Sequence, residues 1–317
     1  MDHTQLGSTG LKVSVAGLGC GGSSRIGLGK GRTDREAAAL VRAAFDRGVT
    51  FFDTAMAYGT EPAVGLALQD LPRDEVVVCT KSQVTTDGRM LSADEIRANL
   101  DASLRTLGVG HVDVYLLHAV RPEHYAHALM LREALSRERD AGKIGHLGIT
   151  ETGPFDPGHE MLQRATRDPA WEVVMLAFHM MHQSARKTVL PQTMANGIGT
   201  LLMFAVRAIF SRPERLRQAM RELAEAGQVP SELAALDEPL AFLVDEHGAE
   251  SVIDAAYRYV RHEPGVDVVL FGTGEIAHLE SNIASILRPP LPEAATARLR
   301  SLFAHLAGAG LDLPTGQ

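Results

Sequence analysis

Four side chains stand at or just beyond the ends of short apolar runs: Asp53 closes Gly48-Val-Thr-Phe-Phe-Asp53, Tyr58 follows it, Lys81 closes Val76-Val-Val-Cys-Thr-Lys81, and His118 closes Val112-Asp-Val-Tyr-Leu-Leu-His118. If those runs are strands whose ends converge, the four residues meet. A tyrosine hydroxyl has an ordinary pKa of about 10, too high for easy proton donation near neutrality. A nearby ammonium would lower it, and a carboxylate would hold that ammonium charged and oriented. Lys81 and Asp53 offer that pair, and His118 could hydrogen-bond the same reacting oxygen or pass a proton. Together these groups donate a proton to a carbonyl oxygen or take one from an alcohol. None of them supplies a hydride.

The elements that would position them alternate along the chain. Strand-like runs fall at Val13–Leu18, Val49–Phe52, Val76–Thr80, Val112–Leu117, Ile144–Ile149, Glu172–Ala177, Thr200–Phe204 and Asp267–Leu270, with helix-like segments between. The strands are nearly continuous in apolar residues, so both faces are expected to be covered. This pattern predicts an α/β fold, a closed (β/α)8 barrel whose C-terminal strand ends form the active face. Thr33-Asp-Arg-Glu36 and Ser92-Ala-Asp-Glu95 read as capping boxes that start helices. The stretch Ala208–Glu246, between the seventh strand and a helix expected at Ala249–His262, reads as a helical insertion, either a substrate cover or an outer elaboration. With no repeat or linker, residues 1–317 read as one domain.

A net charge of -8 and a pI near 5.9 provide no basic field for nucleic acid or an anionic membrane. No apolar run approaches the roughly 20 residues of a membrane span. Cys20 and Cys79 form no disulfide framework, and Met-Asp-His-Thr-Gln lacks a leader pattern, so a cytoplasmic protein is expected. Cys79 reads as a small core hydrophobe. Lysine is confined to Lys12, Lys30, Lys81, Lys143 and Lys187, which singles out Lys81 at a strand end. His179 and His182 read as surface or substrate-lining residues, with no metal expected.

Phe51-Phe-Asp-Thr-Ala-Met-Ala-Tyr58-Gly, Cys-Thr-Lys81, Asp113-Val-Tyr-Leu-Leu-His118, Gly142-Lys-Ile-Gly-His-Leu-Gly-Ile and Val269-Leu-Phe-Gly-Thr-Gly274 with Leu279-Glu-Ser-Asn282 resemble the aldo-keto reductases, as does the opening Leu6-Gly-Ser-Thr-Gly through Gly17-Leu-Gly-Cys-Gly21. The resemblance spans about residues 5–287. It implies a barrel that binds a nicotinamide cofactor without a Rossmann domain and reduces aldehydes or ketones. On that resemblance Tyr58 is the general acid, Lys81 and Asp53 tune it, and His118 orients the substrate carbonyl. A hairpin at about residues 4–16 would close the barrel bottom.

The same resemblance implies a cofactor site of Gly19, Cys20, Gly21, Asp53, Thr150, Glu151, Phe178, Gly272, Thr273, Gly274, Glu275 and Asn282. Phe178 would stack on the nicotinamide. Thr150-Glu151 stand where Ser-Asn is common and Met175 where Gln is common, so either Glu151 and His179 provide a variant grip on the carboxamide or cofactor binding is weakened. NADP is the cofactor the family implies, and Glu275 with no basic residue before Arg288 leaves NAD as the alternative. The expected partner is a small carbonyl or sugar-like substrate. Two readings compete with the oxidoreductase: a low-turnover NAD(P)H-binding sensor or assembly subunit on the same fold, and a hydrolase or lyase using Asp53 and His118, which leaves Tyr58 and Lys81 unexplained.

Overall fold

In a computed structural model, which describes residues 1–311, alternating side chains on parallel strands sort the apolar residues into two layers. The hairpin strands are β1 (His3–Gln5) and β2 (Lys12–Ser14). The remaining strands are β3 (Ala16–Gly19), β4 (Phe51–Asp53), β5 (Val77–Gln83), a small hairpin of β6 (Thr85–Thr86) and β7 (Arg89–Met90), then β8 (Val112–Val120), β9 (Ile144–Glu151), β10 (Val173–Ala177), β11 (Gly199–Met203) and β12 (Val268–Phe271). Strands β3, β4, β5, β8, β9, β10, β11 and β12 pair in parallel and close into the expected eight-stranded barrel.

Inside the barrel lie Phe51, Val77, Cys79, Val114, Leu116, Val173, Met175, Leu201, Val268 and Leu270. The alternate positions, among them Leu18, Phe52, Val78, Tyr115, Ile149, Leu176 and Phe271, face the helices. Both layers are dry, which explains why the strands read as continuous apolar runs. Leu6 and Val13 of the N-terminal hairpin join the inner cluster and plug the barrel at its N-terminal end.

The expected first strand, Val13–Leu18, is two elements. Lys12–Ser14 pairs antiparallel with the hairpin, and the barrel wall begins only at Ala16. Ser14 makes the corner, exchanging hydrogen bonds with Thr50 and donating from Oγ to the Ala16 carbonyl. Both predicted capping boxes form, at Thr33 with Glu36 and at Ser92 with Glu95. The last long helix before β12 runs Val252–Arg261, started by Ser251, whose Oγ accepts the Asp254 N–H.

The insertion forms short helices at Ala208–Ser211, Pro213–Glu225, Ser231–Ala234 and Phe242–Asp245. Their buried Ile209, Phe210, Leu216, Met220 and Leu243 join the outer apolar layer, so most of this segment is an outer elaboration. Among the described residues no helix is long and apolar enough to cross a membrane.

Wall-to-wall contact leaves no room at one strand position. A Cβ on Gly148 would meet the Val173 carbonyl oxygen at 2.3 Å and Leu116 Cδ2 at 2.4 Å. Gly148→Ala is therefore expected to destabilise the fold by about 1–3 kcal/mol through overpacking, read as a lowered midpoint of urea unfolding; an unchanged midpoint would show that β9 and β10 can separate without cost.

Candidate active site

Strand periodicity aims the chemical residues before any long-range contact is considered. Phe51 on β4, Cys79 on β5 and Leu116 on β8 point into the barrel. Two residues on, at the C-terminal rim, the same face carries Asp53, Lys81 and His118. Parallel register sets Asp53 beside Cys79 and Gln83 beside His118, so the three side chains converge. Tyr58 arrives from the 3-10 turn Met56–Tyr58, which ends on Gly59 with φ +63. Its ring lies against Gly21, where a Cβ would come within 2.6 Å. The four predicted residues are together.

Lys81, wholly buried, places its ammonium 2.7 Å from Asp53 Oδ1 and 2.8 Å from the Thr54 carbonyl, and 4.6 Å from the centre of the Tyr58 ring. Burial alone would depress this lysine, but Asp53, with Tyr58 and Cys79, outweighs burial and holds its pKa above the ordinary value. Cys79 and Cys20 are both buried and their thiols pushed up, Cys79 lying on the barrel-lining face and Cys20 on the outer one. Cys79 is thus the core hydrophobe expected.

Tyr58 departs from expectation. Burial raises its pKa by more than Lys81 lowers it, and Asp53 acts in the same direction as burial. The lysine's charge is largely spent on its carboxylate, so the resting hydroxyl stays protonated. His118 is pushed down to about 3, first by burial and then by the Lys81 charge. It is a neutral imidazole near neutrality. Its Nε2 lies 3.4 Å from the Tyr58 hydroxyl, while Nδ1 is buried without a hydrogen-bond partner. A buried orphan N–H costs more than an under-used acceptor, so the proton belongs on Nε2, facing the Tyr58 hydroxyl.

Around the rim, the residues assigned to a cofactor divide. Gly19 and Gly272 line a trough between β3 and β12, where a Cβ on Gly272 would meet only the Gly19 carbonyl oxygen at 3.5 Å and Ser24 Oγ at 3.9 Å. Gly274 abuts Gly27 of the loop after β3, with 2.9 Å between its notional Cβ and the Gly27 Cα. Thr273 is buried, and its Oγ accepts the Glu275 N–H at the start of the helix Ile276–Leu287, which also carries half-buried Asn282. Cys20 offers this trough no side chain; its N–H donates to the Asp53 carbonyl at 2.7 Å. Thr150 lies on the barrel-lining face, accepting the Ala119 N–H at 2.7 Å, and Met175 lines the lumen.

Glu151 and Phe178 lie elsewhere than a nicotinamide grip requires. The Glu151 carboxylate, fully buried, meets His159 Nδ1 at 2.7 Å and accepts the Ala177 N–H at 2.7 Å. Burial would lower His159, but Glu151 outweighs it and raises its pKa. Phe178 faces outward with its ring parallel to Tyr259 at 6.0 Å between centres. His179 and His182 are likewise buried core residues rather than surface ones, with burial as the main cause of their lowered pKa values. No group of three or more His, Cys, Asp or Glu among the described residues is placed to hold a metal ion.

Sequence reasoning missed three residues. Phe204, just past β11, is the half-buried aromatic at the rim; its φ of +70 is unusual for a bulky residue, and the Arg207 guanidinium lies 4.2 Å over its ring. Lys30 reaches across from the loop after β3 to pair with Glu275 Oε1 at 2.5 Å. A basic side chain therefore does stand at this corner, supplied from the other end of the chain, and Glu275 is not a bare anion. Arg25, from the same loop, lies against Gly59. Only the aromatic at a strand end was detectable in advance.

Comparison with known proteins identifies the lineage. A family model described as the aldo/keto reductase family matches residues 18–304. The chain belongs to the aldo/keto reductase family. Its relatives include an aldo-keto reductase of Bacillus subtilis (26% identical, covering 89% of this chain and 87% of the relative) and the L-galactose dehydrogenase of Arabidopsis thaliana (27% identical, 89% and 86%). The D-threo-aldose 1-dehydrogenase of a Pseudomonas species is 28% identical over 74% of this chain and 78% of its own length. Among solved structures, the holo form of an aldo-keto reductase from Bacillus halodurans superimposes with a TM-score of 0.72 at 18% identity over 96% of both chains. An aldo/keto reductase from Klebsiella pneumoniae, in complex with NADP and acetate, does so with a TM-score of 0.68 at 23% identity over 96% of each. The chain is thus a nicotinamide-dependent oxidoreductase of (β/α)8 fold.

The depressed His118 has a consequence for stability. Its folded pKa of about 3 lies below the ordinary 6.5, so as pH falls between those values the unfolded chain takes up a proton that the folded chain refuses. The contribution of this group to stability is therefore fully present above pH 6.5 and is lost toward pH 3. In His118→Asn, the slope of unfolding free energy against pH across this window is expected to shrink by about one proton; an identical slope in the variant would show that the imidazole titrates normally.

Proposed function

We propose that this aldo/keto reductase interconverts a carbonyl and an alcohol, with Tyr58 as proton donor and acceptor. The observation that carries the reading is the Lys81 ammonium, 2.7 Å from Asp53 and 4.6 Å from the Tyr58 ring centre. When bound, NADPH or NADH supplies the hydride. Gly19, Gly21, Gly272, Thr273, Gly274, Glu275 and Asn282 would hold it, with Thr150 at the carboxamide end. The trough at Gly19 and Gly272, lined mainly by backbone with Ser24 Oγ at its edge, fits such a group. Phe204, rather than Phe178, offers it an aromatic face.

The catalytic residues divide the work. A substrate carbonyl oxygen accepts hydrogen bonds from the Tyr58 hydroxyl and the neutral His118 Nε2–H, which fixes it at the rim. As negative charge builds on that oxygen, the Tyr58 proton moves to it. The resulting phenolate is stabilised by the buried Lys81 ammonium, whose worth is greatest in this dry environment. Asp53 keeps the ammonium charged and in place throughout. In the oxidative direction the same proton travels back.

The relatives named as sugar dehydrogenases support a small polyhydroxylated substrate. A cavity of about 470 Å³ beside the Tyr58 turn is lined by Met56, Gln83, Thr86, Asp87 and Asn99 among others, a set rich in hydroxyl-binding groups. Either nicotinamide cofactor is compatible with the adenosine corner, where Lys30 balances Glu275.

Tyr58→Phe is expected to abolish turnover while leaving NADPH and NADH binding, followed by cofactor fluorescence, within about threefold of wild type. Wild-type-like turnover would remove Tyr58 as the acid. Replacing Glu275 with Arg should leave Lys30 unpaired beside a second cation and raise the NADPH-to-NADH affinity ratio by about tenfold or more. An unchanged ratio would show that this corner does not face the cofactor ribose.

A further inference from the structure

The loop after β3 carries a cation that the proton chemistry does not use. Arg25 and Ile26 both adopt left-handed backbone, with φ of +43 and +50. Such angles are uncommon outside glycine and a clear outlier for β-branched isoleucine, and they persist only where surrounding structure enforces them. Here fully buried Ile26 pins the segment, and the Ser24 carbonyl accepts both the Gly27 and Gly29 N–H groups. The constraint lays the Arg25 guanidinium across the end of the catalytic turn. One of its terminal nitrogens is 2.9 Å from the point where a side chain on Gly59 would begin. Earlier in the same loop, Gly21 abuts the Tyr58 ring.

The acidic groups nearby are already engaged. Asp53 is paired with Lys81, Glu61 accepts the Thr80 hydroxyl at 2.6 Å, and Glu275 is paired with Lys30. Among the described residues Arg25 has no ion-pair partner, and its Nε is buried without a hydrogen-bond acceptor. Arg25 is thus a guanidinium without a carboxylate partner beside the turn that carries Tyr58, in a chain of net charge -8. A buried guanidinium N–H lacking an acceptor is costly, and the ligand that matches its planar fork is a carboxylate or phosphate oxygen pair.

We infer that Arg25 anchors an anionic group carried by the carbonyl substrate, so that the preferred substrates are acidic aldehydes, ketones or sugars. This rests on the oxidoreductase reading above. The pyrophosphate of a cofactor shares the same chemistry, and the experiment separates the two sources.

Purified wild type, Arg25→Gln and Arg25→Lys are assayed with para-carboxybenzaldehyde and its methyl ester. Wild type is expected to favour the carboxylate by about tenfold in kcat/KM, a preference that Arg25→Gln loses through KM and Arg25→Lys partly restores. Fluorescence titration of both cofactors should give Kd values for Arg25→Gln within about twofold of wild type. Equal treatment of acid and ester by wild type overturns the inference. So does a preference that survives in Arg25→Gln while cofactor affinity collapses, which assigns the guanidinium to the pyrophosphate. Calorimetric binding of para-(hydroxymethyl)benzoate needs no turnover. If no carbonyl is reduced yet this carboxylate binds wild type and not Arg25→Gln, the oxidoreductase reading fails and the anion site stands. If it binds both equally, the anion site fails.

Discussion

The ion pair between Lys81 and Asp53 is the constraint around which the rest is arranged. Two opposite charges buried at the end of a barrel are expensive unless their geometry is fixed, because removing water costs several kcal/mol per ion. The contact at 2.7 Å and the Thr54 carbonyl at 2.8 Å supply that geometry. Neither is possible unless β4 and β5 pair in the register that sets Asp53 beside Cys79. Slipping either strand by one residue would turn its charge out of the lumen into the apolar layer under the helices. The dry floor of Phe51, Cys79, Leu116 and Met175 beneath the pair keeps its field strong at Tyr58.

Electrostatics at the rim then follow from burial as much as from proximity. Tyr58 lies close to an ammonium yet keeps its proton, since desolvation and the Asp53 charge together outweigh Lys81. The same desolvation, helped by Lys81, keeps His118 neutral. The resting site thus holds a protonated tyrosine and an uncharged imidazole beside a permanent cation. A lysine free of its carboxylate would favour a resting phenolate instead.

The rim beside β3 and β12 is built by loops from opposite ends of the chain. Glycines at 27 and 274 let the loops after β3 and β12 touch backbone to backbone, and Lys30 and Glu275 tie them at the surface. The strained turn at Arg25 and Ile26 belongs to this joint. On the far side, Glu151 is withdrawn into a buried network with His159 and Ser184, which closes the ends of β9 and β10 and leaves Thr150 as the polar residue facing inward.

Much of this was legible in the sequence because it is local. Strand positions, both capping boxes and the inward face of Asp53, Lys81 and His118 follow from periodicity and nearest-neighbour chemistry, which tertiary structure does not revise. Where a strand met a second role, the reading failed: Val13–Leu18 reads as one apolar run, but a side-chain corner at Ser14 divides it between the plug and the wall. Motif position puts Phe178 and Glu151 at the rim, yet strand parity turns both outward. The cation beside Glu275 could not be seen in the neighbouring sequence, because it comes from Lys30. The sequence by itself determined the barrel, the meeting of Asp53, Tyr58, Lys81 and His118 at its rim, and the order in which they are laid down. Only the tertiary structure decided which side chains face one another across loops and which charges keep their protons, since both depend on burial and on contacts between residues far apart in the chain.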